Sequence, residues 1–240
     1  VESRNDEPRR QTLLRQVNIA SENNVPAPSD SEDAGTKHLR ICGDDIMASI
    51  VRRIGPLDEG QKQRGRPEDG YGALVRTIVG QQLSTKAARS IYGKLTAHFD
   101  GETPSPEGIL AASEDELRAC GLSRPKISYL RDLASRTLEG GMDFGEMDGM
   151  SDGEVIACLT AVKGLGRWSA DMFLMFHLRR PDVMPVGDLG IRRAVEKAYA
   201  LPDMPDAKGL EELSEPWRPE RTLASLYLWE SLDMGNPVGE

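Results

Sequence analysis

The chain has 240 residues, a formal net charge of −9 and only 5% aromatic residues. That length allows one or two domains with a sizeable core, and few aromatics beside many Leu, Ile, Val, Ala and Met suit helices better than a β-sandwich. The acidic balance argues against a protein that holds nucleic acid by overall charge, though not against one with a local basic face.

Residues 1–36 are polar and charged and end in SENNVPAPSDSEDAGT. Such a segment buries too little apolar surface to order itself, so a solvated tail is expected. Its start, VESRNDEPRRQ, lacks signal-peptide features, and no apolar run has transmembrane length. No membrane association and a cytoplasmic setting are expected. Cys42, Cys120 and Cys158 are odd in number and widely spaced, with no zinc-type CxxC, so reduced, half-buried thiols are expected. His38, His98 and His177 are isolated and read as surface or helix-edge residues.

From Leu39 onward the chain reads as successive helices. Asp44 to Ile54 is a short amphipathic stretch, followed by the polar gap GPLDEGQKQRGRPEDG. Tyr71 to Phe99 has helical apolar spacing, interrupted at Gly80-Gln81-Gln82. Ser105-Pro106 starts a short helix. Ser113 with Glu116 and Ser151 with Glu154 are capping-box patterns. Gly121 stops the first of those helices, and Gly140-Gly141 ends another that runs from Pro125 to Leu138. The second capping box opens a helix with Val155, Ile156, Leu159 and Val162 on its apolar face. No strand pattern of period two persists, so the fold class is all-α.

Two stretches carry chemistry. In LTAVKGLGRWSADMFLMFHL, residues 159–178, two helices flank Lys163-Gly164-Leu165-Gly166. Glycines spaced GxG let the backbone turn sharply and approach a ligand closely. The second helix begins near Arg167, and its unpaired first amides suit a phosphate. Backbone amides position a nucleic acid without reading its bases. The plainer reading is an ordinary helix–turn–helix corner. Downstream, Asp188 follows the Pro/Gly-rich loop Met184-Pro185-Val186-Gly187 and precedes an apolar-periodic helix, where Asp is also a favoured N-cap.

The ordered series VGQQLSTKAA (79–88), LSRPKISYLRDLA (122–134), LTAVKGLGRWSADMFL (159–174), MPVGDLGIRRAV (184–195) and WRPERTLASLYLW (217–229) resembles the helix-hairpin-helix (HhH-GPD) glycosylase superfamily. Within it the resemblance is to AlkA-type 3-methyladenine DNA glycosylases, and it covers about residues 44–232. It implies a two-lobed helical fold over residues 37–240. One lobe spans about residues 70–185, and the other joins about residues 37–69 to residues 186–240. A cleft separates them.

The implied activity is hydrolysis of the N-glycosidic bond of an alkylated purine flipped out of duplex DNA. Asp188 falls on the family's catalytic carboxylate, which stabilises positive charge at C1′ and orients or deprotonates water. Trp168 stands where bifunctional members carry the Lys that forms a Schiff base, so no lyase activity is expected. Trp168, Trp229 and Met172 match positions around the base pocket, where an electron-rich ring stacks on a cationic base; core packing is the alternative for each Trp. Phe173 and Met175 read as core. Lys163, Gly164, Leu165, Gly166 and Arg167 would bind DNA. Gln82 with Leu83 sits where the family carries its intercalating wedge, against the simpler reading of a polar loop. The main-chain carbonyls of Thr160, Val162 and Leu165 match a structural site for Na+ or K+.

No cofactor is required, no iron–sulfur cluster or zinc site is expected, and a monomer acting on DNA in the bacterial nucleoid or a eukaryotic nucleus is implied. Departures are Lys163 where the hairpin usually has Pro, Met172 where close relatives carry an aromatic, and Glu230 after Trp229. No strand pattern precedes residue 44, where some AlkA proteins carry a β-type extension. Three other readings stay open: a related glycosylase for an oxidised, deaminated or mismatched base, a non-catalytic DNA-binding hairpin protein, and a helical protein-interaction module.

Overall fold

The computed structural model describes residues 33–41, 44–57 and 67–235. Every regular element among them is helical. The order is α1 (Ala34–Ile41), α2 (Asp45–Ile54), α3 (Gly70–Gly80), α4 (Thr85–His98), α5 (Pro106–Ala111), α6 (Glu114–Ala119), α7 (Arg124–Leu138), α8 (Asp152–Thr160), α9 (Arg167–Phe176), α10 (Leu189–Ala198), α11 (Ala207–Ser214) and α12 (Arg221–Gly235). No helix among the described residues is long and apolar enough to cross a membrane.

Local chemistry explains most boundaries. Asp44, Asp69, Ser84, Ser105, Asp188 and Asp206 each accept the amide three residues on, which satisfies one orphan donor of the helix that follows. Both capping boxes are present, Ser113 with Glu116 and Ser151 with Glu154. Gly121 and Gly140 take positive φ at the ends of α6 and α7, as expected of helix stops. One boundary differs. Helix α1 starts at Ala34, inside the segment expected to be tail, because Asp33 accepts the Thr36 amide and hydroxyl and turns residues 34–36 into the first helical turn. The rest of that segment, and Cys42, lie outside the described residues.

The helices pack around two apolar clusters. One draws its buried members from between Tyr71 and Val183. The other joins Leu39, Met47, Ile50 and Val51 to residues between Met184 and Leu228. Phe176 and Trp229 are partly buried and pack against both clusters. Phe173 and Met175 are buried in the first, as expected. Cys120 is a buried free thiol and Cys158 a half-buried one.

The segment from α9 to α10 is fixed by α12. Arg221 donates to both carboxylate oxygens of Asp182, at 2.6 and 3.2 Å, and to its carbonyl at 2.9 Å. The Thr222 amide donates to the Pro181 carbonyl at 2.9 Å, and the Thr222 hydroxyl accepts the Val183 amide at 3.1 Å. Trp229 lies seven residues beyond Thr222, two turns along the same face of α12. The helix that pins the start of the loop therefore also reaches its end.

Candidate active site

Asp188 stands at that end. It is the N-cap of α10, its Oδ1 accepting the Ile191 amide at 2.8 Å, so the plainer reading of this residue is true of it. It is also more than a cap. The Trp229 indole Nε1 donates to the same Oδ1 at 3.0 Å, and the Trp168 Nε1 donates to Oδ2 at 2.8 Å. A carboxylate offers about four acceptor positions. These three bonds fill both on Oδ1 and one on Oδ2, so Oδ2 is the oxygen with capacity left for a water or a ligand. Gly190 makes room for this arrangement, since a Cβ there would come within 3.0 Å of Asp188 Oδ1 and 3.2 Å of the Trp229 ring.

The two indoles differ in setting. Trp168, in the first turn of α9, is 38% exposed, so the core-packing alternative does not describe it. Its N–H is held while part of the ring stays open to a partner. Trp229 is half-buried and lies nearly parallel to Phe176, with ring centroids 6.1 Å apart. Met172 follows Trp168 by one helical turn and is buried in the first cluster. A separate polar recess of about 80 Å³ lies between Asp152, Arg167, Asp171, Asp182 and Arg221. It has room for about two or three waters, well under the few hundred Å³ of a typical ligand pocket. None of Trp168, Met172, Asp188 and Trp229 lines it.

The hairpin between α8 and α9 rests on α7. The Lys163 amide donates to Asp132 Oδ2 at 2.8 Å, and the Lys163 ammonium donates to Ser128 Oγ at 3.0 Å. The amide bond is the main cause holding the Asp132 carboxyl below the usual carboxylate range, with Arg136 adding to it. Gly164 has φ +81°, and a Cβ on it would fall within 2.2 Å of the Tyr129 ring. Gly166 differs, being extended at φ −104° with open space where a Cβ would sit. Of the two glycines in GxG, only the first is required by the fold itself.

No side chain caps the start of α9. Arg167 is 59% exposed and pairs through Nε, at 2.7 Å, with the fully buried carboxylate of Asp171. Burial pushes that carboxyl up and Arg167 opposes the shift, so the arginine serves the core as well as the surface. Thr160 ends α8. The Val162 carbonyl accepts the Leu165 amide at 3.1 Å, leaving it one free acceptor position. Across from the hairpin, the α3–α4 turn exposes Gln82, at φ +58°, and Leu83. Gln81, one residue earlier, reads in the sequence only as part of a helix break, yet its side chain reaches the hairpin. Tyr129, Asp132 and Gly190 also support the site without a sequence motif that assigns them this role. Of these, only Gly190 had a local signal, its place beside Asp188.

The profile of the HhH-GPD superfamily of base excision DNA repair proteins matches residues 75–219. The chain belongs to this superfamily. DNA-3-methyladenine glycosylase 1 of Schizosaccharomyces pombe is 37% identical to this HhH-GPD chain over 190 residues, covering 78% of this chain and 82% of that protein. The solved structure of S. pombe 3-methyladenine DNA glycosylase in complex with abasic DNA matches with a TM-score of 0.76 at 34% identity, covering 82% of this chain and 96% of the other. A DNA-3-methyladenine glycosidase from Bacillus halodurans matches with a TM-score of 0.70 at 35% identity, covering 83% and 89%.

Proposed function

We propose that this HhH-GPD protein is a monofunctional DNA glycosylase that excises alkylated purines, of the 3-methyladenine type, from duplex DNA. The observation that carries the reading is the Asp188 carboxylate held by the indole N–H groups of Trp168 and Trp229 beside the hairpin helix. The names of the similar glycosylases support the substrate class. In this reading the hairpin amides and Lys163 hold phosphate, and the exposed ring of Trp168 stacks on the flipped, electron-poor base. Asp188 Oδ2 then faces C1′, where it stabilises the oxocarbenium-like charge and guides the attacking water. An alkylated purine leaves readily because it already carries positive charge.

Thr160 and Val162 lie at the C-terminal end of α8, where the helix dipole is negative and neutral carbonyls suit a monovalent cation. With Leu165 they would hold Na+ or K+ as a structural bridge to phosphate.

Incubating the protein with methylated duplex DNA and identifying the freed bases tests the activity. Methylated purines should appear in solution, and a reaction that frees none would overturn the proposal. Borohydride added during turnover should trap no protein–DNA adduct, because Trp168 offers no amine to attack C1′; a trapped adduct would refute the monofunctional reading. Lys163→Glu should weaken binding on all sequences alike and flatten the dependence of affinity on salt by about one unit of slope. An unchanged slope would remove the phosphate role of this residue.

A further inference from the structure

Gln81 closes α3, its amide donating to the Thr77 carbonyl at 3.1 Å. Its side chain leaves the turn and crosses to the hairpin. Nε2 donates to the Gly164 carbonyl at 2.9 Å and lies 3.3 Å from the Ser169 hydroxyl. Gly164 is the tight point of the hairpin turn, and Ser169 is a buried residue of α9 next to Trp168. One amide group thus joins the α3–α4 turn to both the hairpin and the helix whose first turn holds Asp188.

Helix α7 makes a second tie between the same parts. The Lys126 ammonium donates to the Val79 carbonyl at 2.7 Å, two residues before Gln81, and burial lowers its pKa. Ser128, Tyr129 and Asp132 of the same helix carry the hairpin. The residues immediately after Gln81 are held locally, the Leu83 amide donating to the Gly80 carbonyl at 3.2 Å. Gln82 and Leu83 are exposed, and Gln82 takes a left-handed conformation that few non-glycine residues adopt.

We propose that Gln81 is a positioning residue that registers the exposed Gln82–Leu83 turn with the hairpin, so that the turn enters the duplex at a fixed offset from the phosphate anchor and from Asp188. The proposal rests on the DNA-binding part of the reading above. Without the amide bridge the turn keeps its sequence and its exposure but loses its fixed distance from the hairpin. Insertion then becomes one of several arrangements on bound DNA.

Gln81→Met keeps the length and bulk of the side chain and removes its donors. The probe is a duplex with one tetrahydrofuran abasic analogue and 2-aminopurine in the opposite strand at that position, whose fluorescence reports unstacking when a side chain enters the helix. Wild-type protein should change the fluorescence on binding. Gln81→Met should melt within about 5 °C of wild type and bind with affinity within about twofold, yet show a fluorescence change about threefold smaller, because the Nε2 bonds to Gly164 and Ser169 no longer favour the inserted arrangement. An undiminished change in the variant would overturn the proposal, as would a wild-type complex that leaves the probe unperturbed. Loss of affinity in step with the signal would also overturn it, because Gln81 would then support binding in general. Wild-type protein that perturbs the probe but frees no methylated base would sink the catalytic reading and leave this one standing.

Discussion

Replacing Asp188 by Asn is expected to leave a folded protein that binds DNA and turns over at least about a hundredfold more slowly. Asn caps a helix about as well as Asp, so α10 keeps its first turn. With the amide oxygen in the place of Oδ1, the bonds from Ile191 and Trp229 survive. The amide NH2 then takes the place of Oδ2 and faces the Trp168 N–H, donor against donor, so that bond is lost. The stability change from one such bond is about 1 kcal/mol.

The change in catalysis is larger because the charge itself is gone. A carboxylate about 4 Å from a developing cation contributes roughly 4 kcal/mol at the effective dielectric of a protein surface, close to a thousandfold in rate. The measurement is a single-turnover rate of base release beside a binding isotherm on the same duplex. Turnover within a few-fold of wild type would remove Asp188 from the mechanism and favour a non-catalytic hairpin protein.

A second aspartate shows why the sequence alone left Asp188 ambiguous. Asp44 caps α2 through the Met47 amide and accepts the Tyr199 hydroxyl at 2.7 Å and the Trp217 Nε1 at 3.1 Å. The motif is the same: an N-cap carboxylate held by two aromatic donors far away in the chain. Around Asp44 the tryptophan is wholly buried, and burial beside Asp44 pushes the Tyr199 hydroxyl far above its ordinary range. Around Asp188 one tryptophan is open to solvent. Exposure of the ring, and not the capping pattern, is what distinguishes the Asp188 cluster from the closed cluster at Asp44.

Helices were legible because their signals are local. Caps, glycine stops and apolar periodicity lie within a few residues of the elements they define. The start of α1 escaped because it depends on Asp33 closing onto Thr36 inside a stretch whose composition reads as solvated. Of the candidate site, family resemblance pointed to Asp188, Trp168 and Trp229, and the structure brings these three together. The supports of the site were not legible. Gln81 reaches Gly164 across 83 residues, and Asp132 reaches the Lys163 amide across 31. Nothing near Gln81, Tyr129 or Asp132 in the chain marks them as partners of the hairpin.

The hairpin glycines supply the other large expected effect. Gly164→Ala should lower stability by about 2–5 kcal/mol and weaken DNA binding at least about tenfold. Two costs combine. An L-residue at φ +81° is strained by about 1–2 kcal/mol, and the new methyl would enter the Tyr129 ring, so either the ring or the turn must move. Adding Tyr129→Ala isolates the second cost. The double variant should lose about 0.5–3 kcal/mol less than the sum of the two single losses, because the clash is absent while the backbone strain remains. Thermal melting of all four proteins closes this cycle, and strict additivity would show that the ring is not what excludes a side chain. Gly166→Ala sets the contrast, since its backbone is extended and its Cβ meets nothing. It should melt within about 0.5 kcal/mol of wild type, as harmless surface changes do. If the backbone of Gly166 lies against a phosphate in the complex, that same variant still loses affinity for DNA. One glycine would then be required by the fold and the other by the ligand, and unaltered binding by Gly166→Ala would show that the phosphate does not approach the turn at that point.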